Sequence, residues 1–312
     1  METSKRGQWG SSFGFLMAAI GSAIGLGNLW AFPYKMGKTG GFAFLVLYLI
    51  LVALVGVVGM LGEFALGRKT GKGAGGAYAA LGKKYSFIGW MAVISPFLIL
   101  SFYAVLGGMV LRYCLGFLVQ IFGADGFAGQ GSGFFGWLLY SGQSMILFFA
   151  LFLACTMAIV MGGVQGGIEK FSKAVMPALG VILIGIIIFV AMQPGALEGY
   201  KFMFKPDMSL FSSPGSFFDV LKTASGQVFF SLSMAMGINI TFGSYLDKQK
   251  SLQKNAVIVP LFDTIFAVLA GMMILPACAA FHVDYAQGPG LLFASMQKVF
   301  LDGMGGQAGN II

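Results

Sequence analysis

The chain has 312 residues, 58% of them hydrophobic and only 10% charged, with a mean hydropathy of +0.87, whereas soluble domains carry roughly a quarter charged residues. This composition excludes an ordinary soluble domain and indicates a polytopic membrane protein. The net charge of +8 does not indicate a nucleic-acid partner, because the basic residues stand in short clusters between apolar runs rather than along one face.

Runs long enough to cross a bilayer, about 20 residues each, occur near 11–36, 41–67, 86–121, 141–161, 170–192, 215–247 and 255–281. The amino terminus lacks the small-residue cleavage site of a signal peptide, so the first run is expected to stay in the mature protein. Assigning Lys and Arg to alternate loops puts twelve on the side of Lys5 and Arg6 and seven on the other. That bias places the amino terminus in the cytoplasm. The expected organisation is a cytoplasmic segment over 1–10, a membrane domain over 11–281 and an extracellular loop over 282–312. The loops 122–140 and 193–214 are then extracellular, Gly- and Ser-rich and partly ordered.

In the first run, Gly21 to Pro33 holds three glycines, Asn28 and a proline. A helix interrupted at membrane depth is tolerated only where it is buried in protein or lines a polar cavity. Freed carbonyls and an Asn oxygen are hard ligands, suited to a hard cation such as Na+. Close packing of two helices on small residues is the alternative for the glycines alone.

Two carboxylates stand out inside apolar sequence, Glu63 and Asp263. Glu63, followed by Phe-Ala-Leu-Gly-Arg, reads as a helix-end ion pair or cap. Asp263 lies deep in the seventh run, where an unpaired charge costs about 2.5–3.5 kcal/mol on insertion scales, and reads as a group that neutralises a cation or holds a proton. In the third run, Tyr103 is a hydroxyl that needs a partner, either backbone or a substrate carboxylate. Cys114, Cys155 and Cys278 have no metal-ligand spacing and read as small core residues. Gly167 and Pro177 in the fifth run weaken the helix, which either kinks or unwinds at that end. His282 reads as a solvated residue at the outer end of the seventh run.

The sixth run, around Phe229 to Gly237, is long and interrupted by small residues like the first. Gly-interrupted segments in corresponding positions of two halves indicate a transporter site at the bilayer midplane. Runs one and six are five apart, which fits a five-helix unit repeated with inverted topology. The first repeat would be 11–192 and the second would begin at 215–281.

These residues resemble the neurotransmitter:sodium symporter family, bacterial branch. The resemblance rests on Arg6 and Trp9, on Gly25-Leu-Gly-Asn-x-Trp-x-Phe-Pro33, on Gly40-Gly41-Phe-Ala-Phe44 and on Glu63-Phe-Ala-Leu-Gly-Arg68. It continues through Tyr103, Gly167-x9-Pro177, Gly226-Gln227-x-Phe-Phe-Ser-Leu-Ser233, Ala270-Gly271 to Pro276 and Gly288-Pro289-Gly290-Leu-Leu-Phe293. It implies an all-α, inverted-repeat (5+5) fold with discontinuous helices 1 and 6. It also implies sodium-coupled import of hydrophobic or aromatic amino acids across a bacterial plasma membrane by alternating access.

By that resemblance, one sodium site takes Ala23, Asn28, Ser231 and Asp263 with the substrate carboxylate, and a second takes Gly21 and Ile24. The substrate carboxylate rests on the amides of Leu26 and Gly27 and on Tyr103. Its amino group faces Ala23, Phe230, Ser231 and Ser233, and its side chain meets Ile99, Tyr103, Phe230 and Met236. Arg6, Trp9, Tyr245, Gly167 and Pro177 are implied in gating. Asp263 would supply the negative charge that relatives draw from chloride, making transport chloride-independent. The family's gate arginine is replaced by Ala31. The chain stops at Ile312, before the eighth helix that would complete the second sodium site, so a truncated sequence is expected. The remaining readings are a fragment that does not transport and an intramembrane enzyme. The enzyme would need a nucleophile and base or a metal cluster, and the motifs for these are missing from the sequence.

Overall fold

The structure, a computed structural model, describes residues 9–298 except 131, 132, 208, 212, 248, 286, 287 and 289. Arg6 lies outside the described residues. Among the described residues, five helices are long and apolar enough to cross a membrane: Phe42–Thr70, Lys83–Ile121, Gly142–Met161, Val164–Ala191 and Leu252–Ala280. A sixth is a pair, Ser12–Ala23 and Gly27–Lys38, bent by 47°. The expected sixth run divides into Pro214–Ser231 and Ile238–Ser244 around a non-helical turn. In chain order the helices are α1 (Ser12–Ala23), α2 (Gly27–Lys38), α3 (Phe42–Thr70), α4 (Ala74–Leu81), α5 (Lys83–Ile121), α6 (Phe134–Tyr140), α7 (Gly142–Met161), α8 (Val164–Ala191), α9 (Ala196–Phe204), α10 (Pro214–Ser231), α11 (Ile238–Ser244) and α12 (Leu252–Ala280). The loops expected to be partly ordered carry α6 and α9.

Serine caps set three starts. Ser11, Ser213 and Ser251 accept the amides of Gly14, Ser216 and Lys254, opening α1, α10 and α12. Pro214 sits in the first turn of α10, where its missing N–H costs nothing. Gly71, left-handed at φ 62°, closes α3. Helix α8 starts with a π-turn, Val164–Glu169, and runs through Pro177 as α-helix. The end expected to kink or unwind is therefore wound in this structure. Gly167 is buried where a Cβ would strike the Ile159 carbonyl, so it also serves close packing of α8 on the end of α7.

The core wraps around the bent pair and α3. Phe15, Phe32, Phe44, Tyr48 and Phe64 are all fully buried there, next to α10 and α12. The short α11 lies on α3 at very close range. A Cβ on Gly67 would strike the Ile240 carbonyl, and one on Gly243 would meet the Phe64 backbone, the small-residue packing that membranes favour. The outward faces are apolar: Leu54, Phe87, Trp90, Ile146 and Val181 are exposed, and α7 buries none of its residues. Two cysteines correct the sequence reading. Cys114 and Cys155 are exposed and only Cys278 is in the core, because hydropathy does not distinguish a side chain facing lipid from one facing protein.

Candidate functional site: two helix breaks around a buried acid

At the first break Ile24 turns extended, with ψ 113°. The Gly25 amide donates to the Asn28 side-chain oxygen at 3.2 Å and the Asn28 amide to the Gly25 carbonyl at 3.1 Å. In a continuous helix those two amides would pair with the carbonyls of Gly21 and Ile24. The break thus releases from the helical ladder the two carbonyls that the resemblance assigns to a second sodium site.

Asn28 is fully buried, and its Nδ2 donates to the Asp263 carboxylate at 2.8 Å and to the Asp263 carbonyl at 3.0 Å. The Ser231 hydroxyl donates to the same carboxylate at 2.9 to 3.0 Å, and the Tyr48 hydroxyl reaches it at 3.3 Å. Asp263 is 0% exposed. Among the described residues no Lys, Arg or His forms an ion pair with it. A buried carboxylate held by neutral donors alone retains its negative charge or takes a proton. The carboxylate and the Ser231 hydroxyl are hard oxygen ligands of the kind that suit Na+, and Asn28 adds its oxygen to them when its side chain turns away from the Gly25 amide.

Tyr48 and Gln227 belong to this site and carry no role in the sequence reading. Gln227 is fully buried and donates from Nε2 to the Gly27 carbonyl at 2.8 Å, while its Oε1 is a buried acceptor without a partner. A single hydroxyl among Phe44 to Leu51 and an amide in a helix of small residues were the available signals.

The second break has a different construction. Ser233, Ala235 and Gly237 take positive φ of 51°, 63° and 69°. Left-handed non-glycine residues cost on the order of 1–3 kcal/mol each, so the surroundings must hold the turn. Glu63 of α3 does so: one carboxylate oxygen accepts the Ala235 amide at 2.7 Å and the other the Asn239 Nδ2 at 2.9 Å. Asn239 also donates to the Leu232 carbonyl at 3.0 Å. Glu63 is therefore not an ion-paired helix end but a brace between two helices. The sequence reading missed this because the partner segment lies far along the chain.

The two breaks touch. A Cβ on Gly27 would sit 3.3 Å from the Phe230 ring. The Tyr103 hydroxyl faces the amides of Leu26 and Gly27, and its ring lies 6.2 Å from that of Phe230. Ala23, Ser231 and Ser233 are buried beside this junction. Tyr103, Leu26 and Leu29 line an apolar cavity of about 850 Å³ that extends toward Phe152 and Leu292. Met236 instead lines a separate cavity of about 640 Å³ with Gly73, Ala92 and Pro96. Ile99 is half-buried and lines neither of these cavities. The structure thus brings Leu26, Gly27, Tyr103 and Phe230 together, keeps Ile99 one helical turn from Tyr103 on the same face, and sets Met236 on a different cavity.

At the end where α1 starts, the Trp9 indole donates to the Phe242 carbonyl at 3.3 Å and packs edge-on against Phe15 and Phe242. Tyr245 follows directly on α11, near that contact. At the opposite end Ala31 is buried, and the Trp30 indole donates to the Gly288 carbonyl at 2.7 Å.

Two interrupted spans meeting at a dry acid inside a bundle of membrane helices define the class of inverted-repeat secondary-transporter folds. Within that class, the chain belongs to the sodium:neurotransmitter symporter family, whose pattern matches residues 6–123 and 141–295. It superposes on a crystal structure of MhsT in complex with L-phenylalanine with a TM-score of 0.88 at 41% identity, covering 98% of this chain and 69% of that one. It is 34% identical over 302 residues to an uncharacterized sodium-dependent transporter of Bacillus subtilis, covering 96% of this chain and 66% of that protein. It is also 28% identical over 301 residues to a mouse sodium-dependent neutral amino acid transporter, B(0)AT3, covering 86% of this chain and 47% of that protein. The chain thus spans about two thirds of the length of its bacterial relative, and it is a multi-pass membrane protein with the fold expected from its two interrupted runs.

Proposed function

We propose that this chain is the ion- and substrate-binding part of a symporter that uses the sodium gradient to import hydrophobic amino acids by alternating access. The observation that carries the reading is the fully buried Asp263, held by neutral donors beside Asn28 and Ser231 with no basic partner among the described residues. A cation completes that charge balance.

In this reading Ala23, Asn28, Ser231 and Asp263 hold one Na+ with the substrate carboxylate. Gly21 and Ile24 contribute carbonyls to a second. The substrate carboxylate takes the Leu26 and Gly27 amides and the Tyr103 hydroxyl, and its amino group faces the carbonyls of Ala23 and Phe230 and the region of Ser231 and Ser233. The apolar side chain lies against Ile99, Tyr103 and Phe230, with Met236 reached after rearrangement. Helix dipoles favour this polarity, with amide ends toward the anion and carbonyl ends toward the cations. Support for an amino-acid substrate comes from the phenylalanine in the MhsT structure and the neutral amino acids in the mouse relative's name.

The fixed carboxylate makes coupling independent of chloride. The amino terminus is cytoplasmic, residues 11–192 form the first repeat and the second begins at 215. Gating involves Arg6, Trp9 and Tyr245 at the cytoplasmic end, together with unwinding between Gly167 and Pro177. The test is uptake of radiolabelled phenylalanine into proteoliposomes. Accumulation is expected under an inward sodium gradient, equal in chloride and gluconate, and absent in potassium. Equal accumulation in potassium would remove the proposal.

A further inference from the structure

Phe230 stands one residue before the end of α10, where the left-handed turn of the second break begins. Its ring meets the bare backbone of Gly27, where a Cβ would come within 3.3 Å, and the tilted ring of Tyr103 at 6.2 Å. A third neighbour comes from farther along α2. The Lys35 ammonium lies over the Phe230 ring, 5.8 Å from its centroid. Gly27, Ala31 and Lys35 follow one another at i, i+4 spacing and so share a face of α2. The first two have no side chain long enough to grip a ring, and Lys35 supplies the reach.

A lysine in the last turn of a helix serves the carbonyl end of the dipole when it turns outward to water. Lys35 does not stand that way. It is half-buried, and its ammonium makes no ion pair or hydrogen bond among the described residues. Helical side chains lean toward the amino-terminal end of their helix, which carries the Lys35 stem back along α2 toward Gly27. A cation that has lost part of its water and faces a ring is attracted to the ring's negative face, more strongly as the site dries.

We propose that Lys35 is a positioning residue whose ammonium draws the Phe230 ring against α2 and so holds the amino-acid pocket closed over its occupant. Gly27 and Tyr103 limit how far the ring can move inward, and the cation opposes its movement outward. The contact joins α2 to the end of α10, so it ties together the two segments that follow and precede the breaks. Because the attraction acts on a pocket already filled, it slows release more than it speeds entry. This rests on the reading of Phe230 as part of an amino-acid pocket.

The test is the release of radiolabelled phenylalanine from the protein in lipid nanodiscs at saturating sodium, chased with unlabelled phenylalanine. Lys35→Met keeps the stem and loses the charge, and is expected to speed release about fivefold with little change in the association rate. Lys35→Arg is expected to keep release slow. Fluorinating the Phe230 ring, which drains its negative face with little change of size, is expected to speed release like Lys35→Met, and combining the two is expected to add little more. The fluorinated ring alone decides if Lys35→Met does not fold. The proposal is overturned if loss of the charge leaves release unchanged, if Lys35→Arg behaves like Lys35→Met, or if Lys35→Met has its full effect on the fluorinated ring. A wild type that binds no phenylalanine would overturn the pocket reading instead. Acylation of Lys35 by a succinimidyl ester would then decide the contact: faster reaction once the ring is fluorinated supports it, and an unchanged rate overturns it.

Discussion

The first break stays close to home and the second does not. At Ile24–Leu26 the chain departs from helix through one extended residue, and its own Asn28 takes the loose amide of Gly25. At Leu232–Gly237 the backbone turns left-handed three times and relies on Glu63, from a different helix, to hold its amides. A break that caps itself leaves the Gly21 and Ile24 carbonyls out of the helical ladder, while Asn28 of the same break also donates to Asp263. A break that must be braced spends a carboxylate on structure. Two acids of the same charge in the same bundle therefore have different roles, and substitutions should separate them.

The largest separation is expected from Asp263→Asn. Removing one partner of a buried charged set costs about 3 kcal/mol, roughly a hundredfold in affinity. Sodium-dependent phenylalanine binding should fall by that amount while the thermal unfolding midpoint in detergent holds. Glu63→Ala should do the reverse. Leaving the Ala235 amide and Asn239 side chain without their acceptor costs about 1–3 kcal/mol of stability, read as a lowered unfolding midpoint that added sodium only partly restores. Gly67→Ala sharpens the same side of the comparison, because its methyl pushes α11 off α3 by way of the Ile240 carbonyl. Overpacking of this kind costs about 1–3 kcal/mol, and the variant should resemble Glu63→Ala rather than Asp263→Asn. The smallest effect is expected from Tyr48→Phe, which removes one 3.3 Å bond to Asp263. The loss is about 1 kcal/mol, visible as a few-fold rise in half-saturating sodium.

The features legible in the sequence were those in which a residue contradicts its surroundings. Three glycines and Asn28 in an apolar run, and Asp263 deep in another, announce a broken span and a buried charge. Tyr48 did not stand out, because an aromatic ring in an apolar run reads as core and only the structure shows its hydroxyl turned to Asp263. Glu63 and Glu169 sit near helix ends, where a carboxylate usually caps or pairs, and their partners at Ala235 and Gly10 are distant in the sequence. The family resemblance groups Met236 with Tyr103, whereas the left-handed turn that precedes it directs it to a different cavity in this structure. Local chemistry is visible along the chain, and pairings made by folding it are not.

Equilibrium binding of radioactive sodium to the purified protein in chloride-free buffer, compared with Asp263→Asn, tests the buried acid most directly. The expected result is saturable binding in the wild type, strengthened by phenylalanine and unchanged by chloride, with at least one site lost in the variant. Wild-type binding that survives Asp263→Asn intact, or that requires chloride, would contradict it.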